Sequence, residues 1–295
     1  MKKQLVVKVW TALVVIIVNT FGLWSGKVDA MEVEDKATWL WDTSIILEDQ
    51  EKILLFLENN HVNKVYLQIN QDIASNAYRH FISKATEKGI RIFALDGAAS
   101  WVSADSIQSQ DEFFHWLHTY NENSALSEQF SGIHLDVEPY LNSGWSLHQA
   151  QTIESYQALM VKAREKATQL QLSLEVDLPF WFDEIRYNNQ FGKGLLADWV
   201  IDQVDSVTIM AYRDAAKDII SIVEHEIAYA TTVDKSIVIG VETGASEEGR
   251  NITFYDNGEA YMNKQLTLVQ QHYNKYTAFQ GIAIHYVENW MKMRP

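Results

Sequence analysis

The sequence predicts an α/β fold, a single (β/α)8 TIM barrel. Three observations carry that expectation. From residue 37 onward, eight short apolar runs alternate with segments of helical period, polar residues gather where those runs end, and no G-x-G-x-x-G turn follows any of them. Strict alternation of strand and helix implies parallel pairing through right-handed crossovers, and eight such units in about 250 residues match a closed barrel in size. A doubly wound open sheet is the alternative, but it would be expected to carry the glycine-rich turn.

The first thirty residues stand apart. Lys2 and Lys3 make a basic start, residues 9–24 are apolar apart from Thr11, Asn19, Thr20 and Gly22, and Val28-Asp29-Ala30 resembles a small-x-small cleavage site. The run is shorter than the ~20 residues that span a bilayer. A cleaved secretory signal is therefore expected over 1–30, with the barrel domain at 31–295 and a secreted or cell-envelope location. An uncleaved N-terminal anchor, the one membrane contact foreseen, is the rival. There is no cysteine, so disulfides, thiolate metal sites and lipid-modified cysteines are excluded. The chain carries a net charge of −15, and without a segment holding Lys2, Lys3, Lys8, Lys27 and Asp29 it would carry −18. That balance argues against nucleic acid or an anionic membrane surface as partner and leaves neutral or cationic polymers open.

The first strand is expected over 37–42, ending on Asp42, with a helical stretch at 48–59 behind it. The second, 63–69, brings Gln68 and Asn70 to its end and precedes helix 73–88. The third, 90–96, ends on Asp96 ahead of helix 111–120. The fourth, 132–138, ends on Asp136 and Glu138 and stops at Pro139, with helix 153–170 returning the chain. The fifth, 172–178, carries Asp177 just before Pro179. The sixth, 206–212, ends on Tyr212, with Arg213 next and helix 219–231 following. The seventh, 237–242, ends on Glu242 ahead of helix 259–276, and the eighth, 281–285, ends on His285. Both internal prolines fall at strand ends, which a sheet tolerates. Barrel active sites lie at the C-terminal ends of the strands, so these terminal polar residues are the candidates.

The fourth strand is the richest. Side chains alternate across a strand, so His134, Asp136 and Glu138 share one face. Three titratable groups in a row are costly in a packed core and make sense where a strand opens into a polar cleft. Two carboxylates one pleat apart push each other's pKa values apart, which general acid catalysis needs. Aromatic residues gather at the same end: Trp41, Trp101, Trp145, Trp181 and Trp290 all follow strands. Flat rings around a polar cleft suit the C–H faces of sugars, and Trp101, Trp145 and Trp181 are the candidates, whereas Trp39, Trp116 and Trp199 read as packing residues. No metal-ligand spacing such as H-E-x-x-H occurs, and neither metal nor cofactor is expected. The long stretch 244–259 reads either as a lid or as a plain surface insertion.

The run Ser131-Gly132-Ile133-His134-Leu135-Asp136-Val137-Glu138 resembles the fourth-strand signature D-G-x-D-x-D-x-E of glycoside hydrolase family 18, the chitinases and endo-N-acetylglucosaminidases. Val204 to Tyr212 resembles that family's sixth strand, with an M-x-Y motif at Met210 and Tyr212. The resemblance implies that Glu138 protonates the glycosidic oxygen. The substrate's own N-acetyl carbonyl would attack, held by Asp136 and Tyr212, a substrate-assisted route. Ser131 and His134 replace the family's first two aspartates, Arg213 stands where an Asp usually follows the Tyr, and His285-Tyr286 stands where a Trp is usual. A divergent relative is expected, with His134 neutral and hydrogen-bonded to Asp136 so as to keep it anionic. His134, Asp177, Trp181, Met210, Arg213, Glu242, His285 and Trp145 are the candidate substrate contacts, and Arg213 could equally pair with Glu242 or Asp214. The expected function is hydrolysis of a polysaccharide containing N-acetylhexosamine. A barrel of the family 25 lysozymes also places Asp-x-Glu at a strand end, but Trp39-Leu40-Trp41-Asp42 does not match its first strand. A non-catalytic carbohydrate- or wall-binding barrel is the alternative from another class.

Overall fold

The computed structural model describes residues 34–295. The expected signal or anchor lies outside the described residues. Eight parallel strands close into one barrel: β1 Asp35–Leu40, β2 Lys64–Gln68, β3 Arg91–Asp96, β4 Gly132–Leu135, β5 Ser173–Pro179, then β8 Ser206–Met210, β9 Ser236–Glu242 and β10 Phe279–His285, which pairs back onto β1. Between β5 and β8 the strands β6 Arg186–Asn189 and β7 Gly192–Leu195 form a separate antiparallel hairpin. The expected eight runs are the eight barrel strands, with ends displaced by a few residues.

Alternation builds the two layers. Outward residues such as Val65, Leu67, Ile133, Leu135, Val207, Ile209, Ile237 and Ile239 join the large core under the helices. Inward residues Trp39, Tyr66, Phe93, Leu95, Val238 and Ala283 fill the barrel. A barrel interior is ordinarily packed with branched aliphatics. This one also buries Asp35, Lys64, His134, Glu175 and Asp177. The Lys64 ammonium lies 2.5 Å from Asp35 and 2.8 Å from Glu175, joining β1, β2 and β5 across the interior.

The principal helices are α3 Ser75–Glu87, α4 Ile107–Glu122, α6 Gln149–Leu170, α7 Leu196–Gln203, α9 Glu224–Val233 and α10 Glu259–Tyr273, preceded by α1 Ile45–Glu48 and α2 Gln50–Asn59 after β1. The remaining helices are α5 Ser143–Leu147, α8 Ala216–Ile222 and α11 Val287–Trp290. Two departures from the sequence reading have clear causes. The β6–β7 hairpin is polar and half-exposed, so it offers no apolar run, and the eight residues of α7 are too few to establish a period. The single helix expected at 219–231 is two helices, α8 and α9, parted at Val223 with φ −114° and ψ 5°; the break has no Gly or Pro to mark it.

Helix α9 buries Glu226 completely, and neither of its carboxylate oxygens has a hydrogen-bond partner. Burial, with Asp183 and Asp198 adding repulsion, pushes its pKa up to about 8. A raised carboxyl stabilises the fold below its ordinary value and loses that contribution as pH rises through the folded value. Thermal stability should therefore fall between pH 4.5 and about 8 in a way that Glu226→Gln removes. At ~1.4 kcal/mol per unit of pKa shift, the difference amounts to roughly 3–5 kcal/mol. Parallel Tm-against-pH curves for the two proteins would contradict this.

Candidate active site

Hydrogen-bonded pairing of β4 ends at Leu135, three residues short of the expected strand, yet the row of side chains persists. The Asp136 N–H continues onto the Asp96 carbonyl at 3.0 Å. That approach needs Gly97, since a Cβ there would stand 2.1 Å from the Asp136 carbonyl oxygen, with φ at +149°. Glu138 then leaves the sheet, and Pro139 opens a short 3-10 turn, Pro139–Leu141. The row descends from Glu138 and Asp136, both half-buried, to His134, which is fully buried.

His134 faces β5. Its Nε2 lies 2.9 Å from Asp177 Oδ2, its Nδ1 lies 3.9 Å from Glu175 Oε2, and the Tyr66 ring stacks on it at 3.6 Å. Burial pulls the imidazole down, but Asp177 and Glu175 outweigh it and raise its pKa to about 9. Asp136 is pushed well above the usual carboxylate range, chiefly by burial and then by the charges of Asp177 and Glu138. The expected hydrogen bond from His134 to Asp136 is corrected in its partner: the imidazole faces Asp177 instead, and the pKa of Asp136 is raised rather than lowered. The physical reason is the second buried carboxylate, Asp177. Asp177 Oδ2 also accepts from Trp39 Nε1 at 3.0 Å. His134 and Asp177 lie beneath the cleft as supports, and neither side chain is exposed to a ligand there.

Burial also raises the pKa of Glu138, with a Tyr140 hydrogen bond acting against it and Asp177 with it. The Tyr140 hydroxyl donates directly to Glu138. Sequence reasoning missed Tyr140, although a proline turn right after the acid is the signal that brings the next side chain back over it. Tyr212 is pushed well above the tyrosine range by burial, then by Glu242, Asp177, Asp136 and Glu138, so it stays a neutral hydrogen-bond donor among carboxyl groups.

At the far side, Glu242 accepts from the Thr243 N–H at 2.8 Å and contacts His285 Nδ1 at 2.7 Å, while His285 Nε2 accepts from Trp41 Nε1 at 3.0 Å. Both His285 nitrogens are thus occupied within the protein. Those groups brace β1, β9 and β10 rather than presenting free polar atoms. Arg213 donates to the Tyr212 carbonyl at 2.7 Å and sits over the Phe180 ring at 4.8 Å, forming neither of the ion pairs foreseen for it. Met210 is buried at the end of β8, beneath Tyr212 in the chain.

A wall of rings flanks Glu138. Tyr140 meets Trp181 edge-on at 5.1 Å, Trp181 meets Trp145 at 6.0 Å, and Trp145 stacks on Phe182 at 5.8 Å. Trp145 and Trp181 remain half-exposed. Trp101, by contrast, is 5% exposed and packs on Phe113, so its expected sugar contact is corrected to a packing role. The 244–259 segment is pinned at both ends: the Thr253 hydroxyl donates to the Gly244 carbonyl at 2.6 Å, the Phe254 N–H donates to the Glu242 carbonyl at 2.9 Å, and Phe254 is fully buried. These bonds fasten residues 244, 253 and 254 at the end of β9.

No family model and no curated protein matches the sequence. Solved structures match the fold. A chitinase from Chromobacterium violaceum aligns with a TM-score of 0.56 at 13% identity over 88% of this chain and 97% of its own. A GH18 chitinase from Cycas revoluta, solved with (GlcNAc)3, gives 0.53 at 12% identity over 87% and 96%. The spore cortex-lytic enzyme SleL of Bacillus megaterium gives 0.52 at 12% over 88% and 73%. The likeness is one of architecture: the chain shares the (β/α)8 barrel of these chitinases and of the cortex-lytic enzyme.

Proposed function

We propose that this protein is a secreted glycoside hydrolase acting on a polysaccharide that contains N-acetylhexosamine. The observation that carries the proposal is the pair Glu138 and Asp136, both raised in pKa by burial, at the open end of the barrel beside a half-exposed wall of Trp145 and Trp181. A raised pKa favours the protonated form of Glu138, which can pass its proton to the glycosidic oxygen as the bond to the anomeric carbon breaks. The acetamido carbonyl attacks the anomeric carbon from the other face, which is the substrate-assisted route. Tyr212 donates a hydrogen bond to that acetamido group, and Asp136 accepts from its N–H and stabilises the developing positive charge. Glu138, then anionic, activates the water that completes hydrolysis. The ligands in the Cycas revoluta structures support the choice of an N-acetylglucosamine polymer, and the N-terminal segment supports export.

Tyr140 modulates the acid. Its hydrogen bond favours the charged form of Glu138, so Tyr140→Phe should raise the pKa of Glu138 and move the basic limb of the pH–rate profile upward by up to about one unit, the worth of one hydrogen bond. A basic limb that stays in place would remove Tyr140 from the mechanism.

A non-catalytic carbohydrate-binding barrel is the second reading. It is favoured by the burial of Asp136, which raises its pKa and so disfavours the anion that charge stabilisation requires. Turnover by the wild type that disappears in Glu138→Gln decides for the hydrolase, and binding of a polymer without cleavage by either decides for the binding barrel.

A further inference from the structure

We propose that the cavity between the 244–259 stretch and the residues after β10 is a second binding site, one that takes a carboxylate-bearing sugar of the polysaccharide. As a subsite of the enzyme this rests on the function proposed above; as a binding site for an anionic sugar it does not.

The cavity measures about 620 Å³ and is lined on one side by Ala245, Tyr255 and Asp256 and on the other by Asn289, Lys292 and Arg294. Its walls are tied together. The Glu259 N–H donates to the Arg294 carbonyl at 2.8 Å, and Trp290 Nε1 donates to Glu259 at 2.9 Å. Gly258, with φ at +84°, lets the two segments meet, since a Cβ there would stand 3.1 Å from the Arg294 carbonyl oxygen. The cavity also adjoins the mouth of the barrel. The Asn289 amide lies beside Gly244, where a Cβ would come within 2.5 Å of it, and the Gly244 N–H donates to Glu242. The barrel order β4, β5, β8, β9, β10 sets the ring wall of Trp145 and Trp181 on one side of the mouth and this cavity on the other. A glycan laid from the ring wall across Tyr212 runs toward it.

The lining differs from the neighbouring mouth in what it leaves free. Glu242 and His285 are bonded to each other and to the backbone or Trp41. Asn289 and Lys292 are held through their backbones, by N–H bonds to the Tyr286 carbonyl at 3.1 Å and the Asn289 carbonyl at 3.0 Å. Among the described residues, the side chains of Asn289, Lys292 and Arg294 have no hydrogen-bond or ion-pair partner. The acids nearby are engaged elsewhere. Asp256 faces Arg250 Nε at 3.9 Å, and Glu288, which feels the Lys292 charge, accepts from the Asp42 N–H at 3.0 Å. Two uncommitted cations on one cavity, in a chain of net charge −15, reverse the local sign.

Each group has a counterpart in such a sugar. The planar guanidinium of Arg294 matches a carboxylate through two parallel N–H bonds, and Lys292 adds a point charge. Asn289 offers both a donor and an acceptor to hydroxyl groups. Tyr255 is 54% exposed and presents its ring to a C–H face of the sugar. A neutral sugar would meet the ring and the amide and leave both cations unanswered. The repulsion between an acidic chain and an anionic polymer is screened beyond about 8 Å at physiological salt, while contacts inside a cavity are screened less.

The test is titration calorimetry on the full chain carrying Glu138→Gln, which prevents turnover. The probes are peptide-free peptidoglycan strands, the same strands with their carboxylates reduced to alcohols, hyaluronan oligosaccharides and chitin hexaose. The carboxylated strands or hyaluronan should bind more tightly than the reduced strands and the chitin hexaose, and added salt should narrow the gap. Preference for the strands assigns the carboxylate to a lactyl ether, and preference for hyaluronan assigns it to a uronate. Adding Lys292→Gln with Arg294→Gln should weaken the carboxylated glycan by roughly 10–100-fold, the worth of charged hydrogen bonds, and by at least about tenfold more than it weakens chitin hexaose. Both side chains are exposed, so unfolding midpoints should match. Equal affinity for carboxylated and reduced strands, an equal loss for all glycans, or no binding of any overturns the proposal. The first comparison needs no further variant and decides even if the double change fails to fold. Charge-selective binding with no cleavage of any polymer by the wild type would keep this site and end the hydrolase reading. Cleavage without charge preference would do the reverse.

Discussion

Glu138→Gln is expected to keep the fold and lose turnover by a factor of about 10²–10⁴, the usual worth of a positioned general acid. The substitution is nearly isosteric and removes only the proton that the leaving oxygen needs. Glu138 is half-buried at the end of β4 and its one side-chain partner is Tyr140, whose hydroxyl can bond an amide as readily as a carboxylate. Unfolding midpoints should therefore match the wild type while product formation does not. Equal rates for the two proteins would remove Glu138 from the chemistry and leave Asp136 without its acid.

Lys64→Met should be the most damaging single change to stability, costing about 3–5 kcal/mol. Lys64 is fully buried inside the barrel between Asp35 and Glu175, with its ammonium 4.8 Å from the Phe93 ring centroid. Methionine fills the volume but leaves two carboxylates without their cation. Arg91, half-exposed, still serves Asp35, so Glu175 is the group stranded. The double change Lys64→Met with Glu175→Gln should then recover part of the loss, a coupling that a double-mutant cycle in denaturant measures. A cost under ~1 kcal/mol for the single change, typical of an exposed pair, would show that the interior network contributes little.

What the sequence displays and what it conceals divide along physical lines. Alternation with period two is local, so the eight strands and the row His134, Asp136, Glu138 were legible, as were Tyr212 and the crowding of polar residues at strand ends. Contacts across the barrel are not local. Lys64 sits in an apolar run, and nothing near it in sequence indicates that its partners lie on β1 and β5. Asp177 looked like a cleft residue because strand-end position was visible and depth was not; register with β4 and the Trp39 indole place it below the cleft. The partners of His134 were hidden for the same reason, since the two carboxylates that face it belong to another strand. The paired nitrogens of His285 and the packing of Trp101 were likewise hidden, because a strand-end or loop position does not state which neighbour a side chain will meet.

The most direct measurement incubates residues 31–295, wild type and Glu138→Gln, with chitin oligomers, peptidoglycan and partly deacetylated poly-N-acetylglucosamine, following products by mass spectrometry and their anomeric configuration by NMR. The proposed function predicts cleavage by the wild type alone, beside an N-acetylated residue and with retained configuration, as substrate assistance demands. Binding of a polymer by both proteins with cleavage by neither would contradict it and make the barrel a carbohydrate-binding module.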